Sequence, residues 1–241
     1  MTTEPKIYFP DMGYHNKDLD VSNERLENSK SYKDLSTIII CPTRGLIPAR
    51  VVQSWLSLMR PMNQKVIGPI FAIGMEVGQA YNTLIEQILA HPDLSQYKYI
   101  LTIEEDNMPP ADGLLKLYEN IDKYDVIQGL YWTKGEGGQP MIYGDPKVMP
   151  KNFIPQKPLL EQVQQANGLG MGFNLFKLDI FKNPDLPKPW FKTVQEIGPG
   201  GAKMYTQDLY FYENAAKLGY IFACDNRVKV GHYDINADII W

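Results

Sequence analysis

Three consecutive carboxylates, Glu104, Glu105 and Asp106, end an apolar run from Tyr97 to Ile103 and stand just ahead of Pro109-Pro110. The run is short, β-branched and aromatic, which reads as a buried strand. Acids at the carboxyl end of such a strand lie in the crevice where open α/β sheets bind ligands. If the strand stays extended through Asp106, its two-residue period puts Glu104 and Asp106 on one side and Glu105 on the other. Carboxylates so close repel unless a positive centre sits between them. A hard divalent cation, Mn²⁺ or Mg²⁺, carrying a phosphorylated ligand is the simplest such centre, because it takes oxygen from one or two carboxylates and from phosphates. A solvated acidic turn after a core strand is the alternative reading.

A fourth acid, Asp208, falls in the first turn of a helix predicted from Thr206 to Leu218 and stopped by Gly219. A carboxylate there suits a general base within hydrogen-bond reach of a hydroxyl. The helix N-terminus keeps it ionised and lowers its pKa, so positioning must supply much of its effect. A capping acid is the alternative. His232 follows a short strand near the chain's end and offers a neutral imidazole nitrogen to a metal. Trp190 and Phe191, in a proline-rich loop, suit either a sugar-stacking platform or a core anchor.

These side chains need a frame, and the chain supplies one. Thr37–Cys41 reads as a buried strand, followed by the turn Pro42-Thr43-Arg44-Gly45 and an amphipathic helix from Val51 to Met59. A strand at Val66–Ile73, a helix at Glu76–Leu89, the Tyr97–Ile103 strand, a helix near Ala111–Asn120 and a strand at Asp125–Tyr131 continue the alternation, which argues for a parallel, doubly wound sheet. Residues 134–166 are rich in Gly, Pro, Lys and Gln and read as a functional loop or lid. A glycine-punctuated strand is expected at Gly168–Phe176, a second loop at Asn183–Lys203, and short strands at Tyr220–Cys224 and Val228–Gly231. Residues 1–35 are polar and aperiodic and read as an N-terminal extension; residues 36–241 read as a single domain.

Composition narrows the classes. A net charge of −4 sets up no global attraction to nucleic acid or anionic lipid, so a nucleic acid acceptor is not indicated, although a local groove would suffice for one. No stretch approaches a membrane span. Cys41 and Cys224 show neither metal nor disulfide spacing and read as buried thiols, which fits a cytoplasmic setting in a bacterium or a virus-infected host cell.

Five short motifs, in order from Thr37 to Asp234, together resemble the GT-A glycosyltransferases, in particular the broad family-2-like group that uses nucleotide sugars. Thr37–Arg44 resembles the first strand and base-binding turn. Leu101–Pro110 resembles the metal-binding D-x-D segment, with Glu104 where the family usually has Asp. Gly170-Met171-Gly172-Phe173-Asn174-Leu175-Phe176 resembles the strand facing donor sugar and acceptor, Thr206–Phe211 the segment holding the base, and Val230-Gly231-His232-Tyr233 the histidine completing the metal site. Tyr81 stands where many relatives carry an Arg that meets phosphate, so that charge contact is lost or comes from Arg44, Lys134 or Lys203, and Gln207 stands where Glu is usual.

The resemblance implies a GT-A-like α/β fold, doubly wound, with a mostly parallel central sheet and helices on both faces. It implies a transferase moving a sugar from a UDP- or GDP-sugar to an acceptor hydroxyl with inversion. Asp208 is the implied base, Glu104, Asp106 and His232 the metal ligands, and Mn²⁺ or Mg²⁺ the metal. Thr43, Arg44, Asn82, Glu105, Gly170 and Gly172 are the implied donor-binding residues. Two other classes stay open. A nucleotidyltransferase would share the acids and metal, but usually has a Gly-rich basic loop after its first strand, which Pro42–Gly45 is too short to form. A non-catalytic carbohydrate-binding domain fits the replaced positions.

Overall fold

The computed structural model describes Glu24, residues 33–198 and residues 201–241. The extension expected over residues 1–35 lies, up to residue 32 and apart from Glu24, outside the described residues. The strands are β1 (Thr37–Thr43), β2 (Val66–Ile73), β3 (Tyr99–Ile103), β4 (Asn107–Met108), β5 (Val126–Leu130), β6 (Ile142–Tyr143), β7 (Val163–Ala166), β8 (Gly168–Leu169), β9 (Phe173–Lys177), β10 (Val194–Gly198), β11 (Gly201–Tyr205), β12 (Phe222–Lys229), β13 (Gly231–Asp234) and β14 (Ile239–Ile240). The α-helices are α1 (Ala49–Ser57), α2 (Val77–Ala90), α3 (Gly113–Asn120) and α4 (Gln207–Lys217).

A seven-stranded sheet in the order β2-β1-β3-β9-β5-β12-β7 forms the centre. β2, β1, β3, β5 and β12 run one way, while β9 and β7 run against them, so the sheet is mostly parallel. The period-2 side-chain alternation of its strands divides the core into two layers. Ile38, Ile40, Ile100 and Phe176 point to the layer formed with Ala80, Leu84 and Ile88 of α2 and Phe211 and Ala215 of α4. Ile39, Cys41, Leu101 and Leu175 point to the layer holding Leu114 and Leu117 of α3, with Trp55 of α1 packed against it. Helices therefore cover both faces. The buried, near-continuous apolar character of β1 and β3 follows from this double cover. Cys41 and Cys224 are buried free thiols.

Three expectations change. The Gly168–Phe176 strand is interrupted, because β8 pairs with β6 whereas β9 enters the central sheet between β3 and β5. The two terminal strands are one longer strand, β12, with a register irregularity against β5 between Asp225 and Lys229. The Asn183–Lys203 loop contains β10, which forms a hairpin with β11.

Candidate active site

The carboxyl ends of β1, β3 and β5 deliver the acids and their partners. β3 stops at Ile103, and the backbone then turns, Asn107 N donating to Glu104 O at 3.0 Å. The strand thus does not stay extended through Asp106. The turn is anchored from beneath: Glu104 N donates to Gly172 O at 3.1 Å, and Gly172 N donates to Tyr131 Oη at 2.9 Å. This close approach explains the glycines. A Cβ at Gly172 would lie 2.7 Å from Asn107 Oδ1, and one at Gly170 would lie 2.0 Å from Tyr131 Oη.

Each acid has a separate setting. Glu105 reaches the end of β1, where Thr43 Oγ1 and Arg44 N donate to its Oε2 at 2.6 and 2.8 Å and Arg44 Nε donates to Oε1. Burial alone would raise its pKa, but these hydrogen bonds outweigh burial and hold it below the ordinary glutamate value. The structure thus brings Thr43, Arg44 and Glu105 together, with the Arg44 side chain 83% exposed and its guanidinium edge on the carboxylate.

Glu104 Oε1 accepts a hydrogen bond from the buried Tyr81 at 3.1 Å. Loss of hydration and the neighbouring Asp106 charge push its pKa up to about 7, against the opposing effect of Tyr81. Tyr81 is therefore a partner of the first acid.

Asp106 meets two nitrogen groups. Lys134 Nζ lies 2.5 Å from its Oδ2, and His232 Nε2 lies 3.4 Å from the same oxygen. Burial would raise this carboxyl, but hydrogen bonds from His232 and Lys134 hold it below the usual value. Antiparallel pairing of β13 with β4 sets His232 opposite Asn107, and Tyr233 N donates to Asp106 O at 2.7 Å. Lys134 arrives on the loop after β5, closed by Thr133 N donating to Gln139 O at 2.9 Å and Met141 N to Tyr131 O at 3.0 Å.

His232 Nδ1 lies 2.7 Å from Trp132 O. A carbonyl only accepts, so Nδ1 carries a proton, and Nε2 is the nitrogen left to face Asp106. With both ring nitrogens protonated His232 donates to Asp106; with Nδ1 alone protonated Nε2 turns its lone pair toward the carboxylate, an arrangement that a cation between the two would stabilise. An Asp oxygen and an imidazole nitrogen are donors that would suit Mn²⁺ or Mg²⁺. Glu104 is held by Tyr81, and among the described residues no group of three His, Cys, Asp or Glu side chains gathers as a metal cage.

Asp208 is 5% exposed at the start of α4, and Leu209 N donates to its Oδ1 at 2.9 Å. Burial raises its pKa despite hydrogen bonds from Thr206 and Leu209, the reverse of the lowering expected from the helix N-terminus. Its charge in turn helps raise Glu104, Tyr131 and Tyr143.

Other expected residues serve the frame. Both polar ends of Asn82 are taken by Phe191, with Nδ2 donating to its O at 2.7 Å and its N donating to Oδ1 at 3.1 Å. Trp190 and Phe191 are each 2% exposed and pack with Phe181 and Phe211, so they anchor the core and present no face to a sugar. Sequence reasoning missed Tyr81 as the Glu104 partner and Lys134 as the Asp106 partner. The unmatched acids in the turn were the available signal that cations and donors must converge on it.

No family model and no curated protein matches the chain. Among solved structures, A197 from STIV is similar over 83% of this chain and 86% of its own, with a TM-score of 0.58 and 16% identity. GalNAc-T7, solved with UDP, GalNAc and Mn²⁺, is similar over 84% of this chain with a TM-score of 0.54 and 10% identity. This chain spans 44% of the GalNAc-T7 chain. The fold is GT-A-like. At these identities the likeness concerns architecture alone.

Proposed function

We propose that the protein is a metal-dependent glycosyltransferase that moves a sugar from a UDP- or GDP-sugar to an acceptor hydroxyl with inversion. The observation that carries this reading is the apposition of His232 Nε2 and Asp106 at 3.4 Å, at the carboxyl edge of a GT-A-like sheet.

Asp106 and His232 would hold Mn²⁺ or Mg²⁺, whose contribution when bound is to neutralise charge on the departing diphosphate. Thr43, Arg44 and Glu105 form the ledge assigned to the nucleoside, their mutual hydrogen bonds fixing the end of β1. Lys134 is positioned to transfer its ammonium from Asp106 to a diphosphate oxygen. Asp208 takes the acceptor proton as the hydroxyl oxygen bonds to the anomeric carbon. The bond from that carbon to the diphosphate breaks, and its electron pair leaves with the diphosphate. A carboxylate with a raised pKa is the stronger base, so its burial favours this role.

Thermal unfolding with UDP or GDP, with and without Mn²⁺, tests the donor site, because a ligand that binds only the folded state stabilises it by about 2.7 kcal/mol at a hundred times its dissociation constant. One nucleotide should raise the midpoint with Mn²⁺ and fail to do so in Asp106→Ala. Asp208→Asn should keep that shift while abolishing sugar transfer. Pyrophosphate as product instead of a nucleoside diphosphate would identify a nucleotidyltransferase; no nucleotide response at all would leave a carbohydrate-binding domain.

A further inference from the structure

We propose that the loop from Pro146 to Leu160 docks the protein on the surface of an anionic lipid bilayer. The proposal rests on the loop's own exposed side chains and does not require the donor site to be correct.

The segment is unlike the rest of this acidic chain. From Pro146 to Leu160 it carries Lys147, Lys151 and Lys157 and no acid, while the whole protein has a net charge of −4. All three lysines are exposed. Between them stand aliphatic side chains that the fold leaves in solvent: Met149 is 80% exposed, Ile154 and Leu160 are each 67% exposed, and Val148 and Leu159 about half. A solitary exposed leucine is ordinary, but five aliphatic side chains within thirteen residues of one loop form a marked concentration.

The backbone is nevertheless held in place. Gly144 N donates to Ile154 O at 2.8 Å and Gln156 N to Ile142 O at 2.8 Å, tying the loop to β6. Gln164 of β7 accepts from Leu159 N at 2.9 Å and donates to Lys157 O at 3.2 Å. Asn167 Nδ2 donates to Asn152 O at 2.9 Å. Pro146, Pro150, Pro155 and Pro158 further restrict the chain. The frame is thus fixed, with Phe153 packed against Tyr205, while the five aliphatic side chains named above stay in solvent.

Lysine alternating with aliphatic residues matches a bilayer surface. The aliphatic groups enter the acyl boundary, the lysine stems lie along it, and the ammonium groups stay among anionic headgroups. Protein interfaces deplete Lys, and this segment has three Lys and no Arg, Tyr or Trp; Met149 and Phe153 are its only residues of the types such interfaces enrich. Leu160 also lines a cavity of about 550 Å³ with Met108, Leu130, Trp132, Val230 and Ile240, so the loop leads into apolar space of the size that takes a small apolar ligand.

Co-sedimentation of the full chain with vesicles of phosphatidylcholine alone, or mixed with phosphatidylglycerol, tests the proposal. Binding should require phosphatidylglycerol and weaken with salt. Each lysine near such a surface contributes about fivefold, so the triple Lys147→Gln, Lys151→Gln, Lys157→Gln variant should bind about a hundredfold more weakly. Met149→Asp and Ile154→Asp should each cost about tenfold or more. Because these side chains are exposed, the variants should keep the wild-type circular dichroism and unfolding midpoint. Three outcomes would overturn the proposal. The first is no sedimentation with anionic vesicles, or sedimentation indifferent to the variants. The second is a dimer by light scattering that Met149→Asp separates, which would make the loop a self-interface. The third is equally tight binding to soluble polyglutamate, insensitive to Met149 and Ile154, which would make it a site for acidic polypeptides.

Discussion

Removing Lys134 should tighten metal binding while weakening nucleotide binding, and the opposed signs make the experiment decisive. In the free protein the Lys134 ammonium lies 2.5 Å from Asp106 Oδ2, the oxygen that also faces His232 Nε2. A divalent ion entering between Asp106 and His232 must displace it. Hydrogen bonds to charged groups contribute about 1.5–3 kcal/mol net. The two side chains are 29% and 21% exposed, so solvent screening places this contact toward the lower bound. Releasing about 1.5 kcal/mol corresponds to about tenfold in a dissociation constant. Lys134→Ala should therefore bind Mn²⁺ about tenfold more tightly without nucleotide, read from the free-ion electron paramagnetic resonance signal. With Mn²⁺ saturating, the same variant should bind UDP or GDP more weakly, because the ammonium that moves to the diphosphate is gone. Lys134→Ala protein with unchanged or weaker Mn²⁺ affinity would refute competition for Asp106. Weaker metal binding accompanied by unchanged nucleotide affinity would also remove Lys134 from the donor site.

Three further perturbations test the surrounding frame. Burial and the Asp106 charge push the Glu104 carboxyl up to about 7 from an ordinary 4.5, so the folded state should hold a proton that the unfolded state releases between these limits; stability should fall as pH rises across that window, by up to about 3 kcal/mol, and Glu104→Gln should flatten that part of a urea-midpoint profile. A profile unchanged by Glu104→Gln would show that the carboxyl is not strained by its setting. Gly172→Ala, whose methyl would meet Asn107 and Tyr131, should cost about 1–3 kcal/mol by denaturant unfolding, with Gly170→Ala the more damaging of the two. Asn82→Ala removes both hydrogen bonds to Phe191 and should lower stability by about 1–3 kcal/mol with nucleotide affinity intact; a selective loss of nucleotide affinity would return Asn82 to the donor site.

The parts of this molecule that were legible in its sequence are those dictated by local pattern. The apolar runs of β1 and β3 and the helical spacing of Ala80, Leu84 and Ile88 follow from burial on a two- or 3.6-residue period, and they appear where that logic places them. Likewise, the acids emerge at the carboxyl edge because β3 is a central strand. Partnership across the sheet was not readable in this way. Tyr81 meets Glu104 across 23 residues, Lys134 meets Asp106 across 28, and Asn82 meets Phe191 across 109. None of these pairs shares an element, so no periodicity links them; only the sheet order does. The antiparallel insertion of β9 between β3 and β5 depends on the same non-local choice, and it brings the Gly170–Gly172 segment beneath the acidic turn.

Asp208 shows why even a correctly placed residue can be misread in its chemistry. Sequence position put it at a helix N-terminus, where the backbone dipoles stabilise its charge and lower its pKa. Folding adds burial to 5% exposure, a desolvation that disfavours the same charge, and desolvation is the larger effect. The dipole is local and visible from a helix start, whereas burial depends on what the rest of the fold packs over that start; Tyr131 and Tyr143, distant in sequence, lie close enough to feel its charge. An acid that local structure makes a poor base thereby becomes a better one through tertiary packing. Opening that packing should therefore weaken Asp208 as a base even where its position is unchanged.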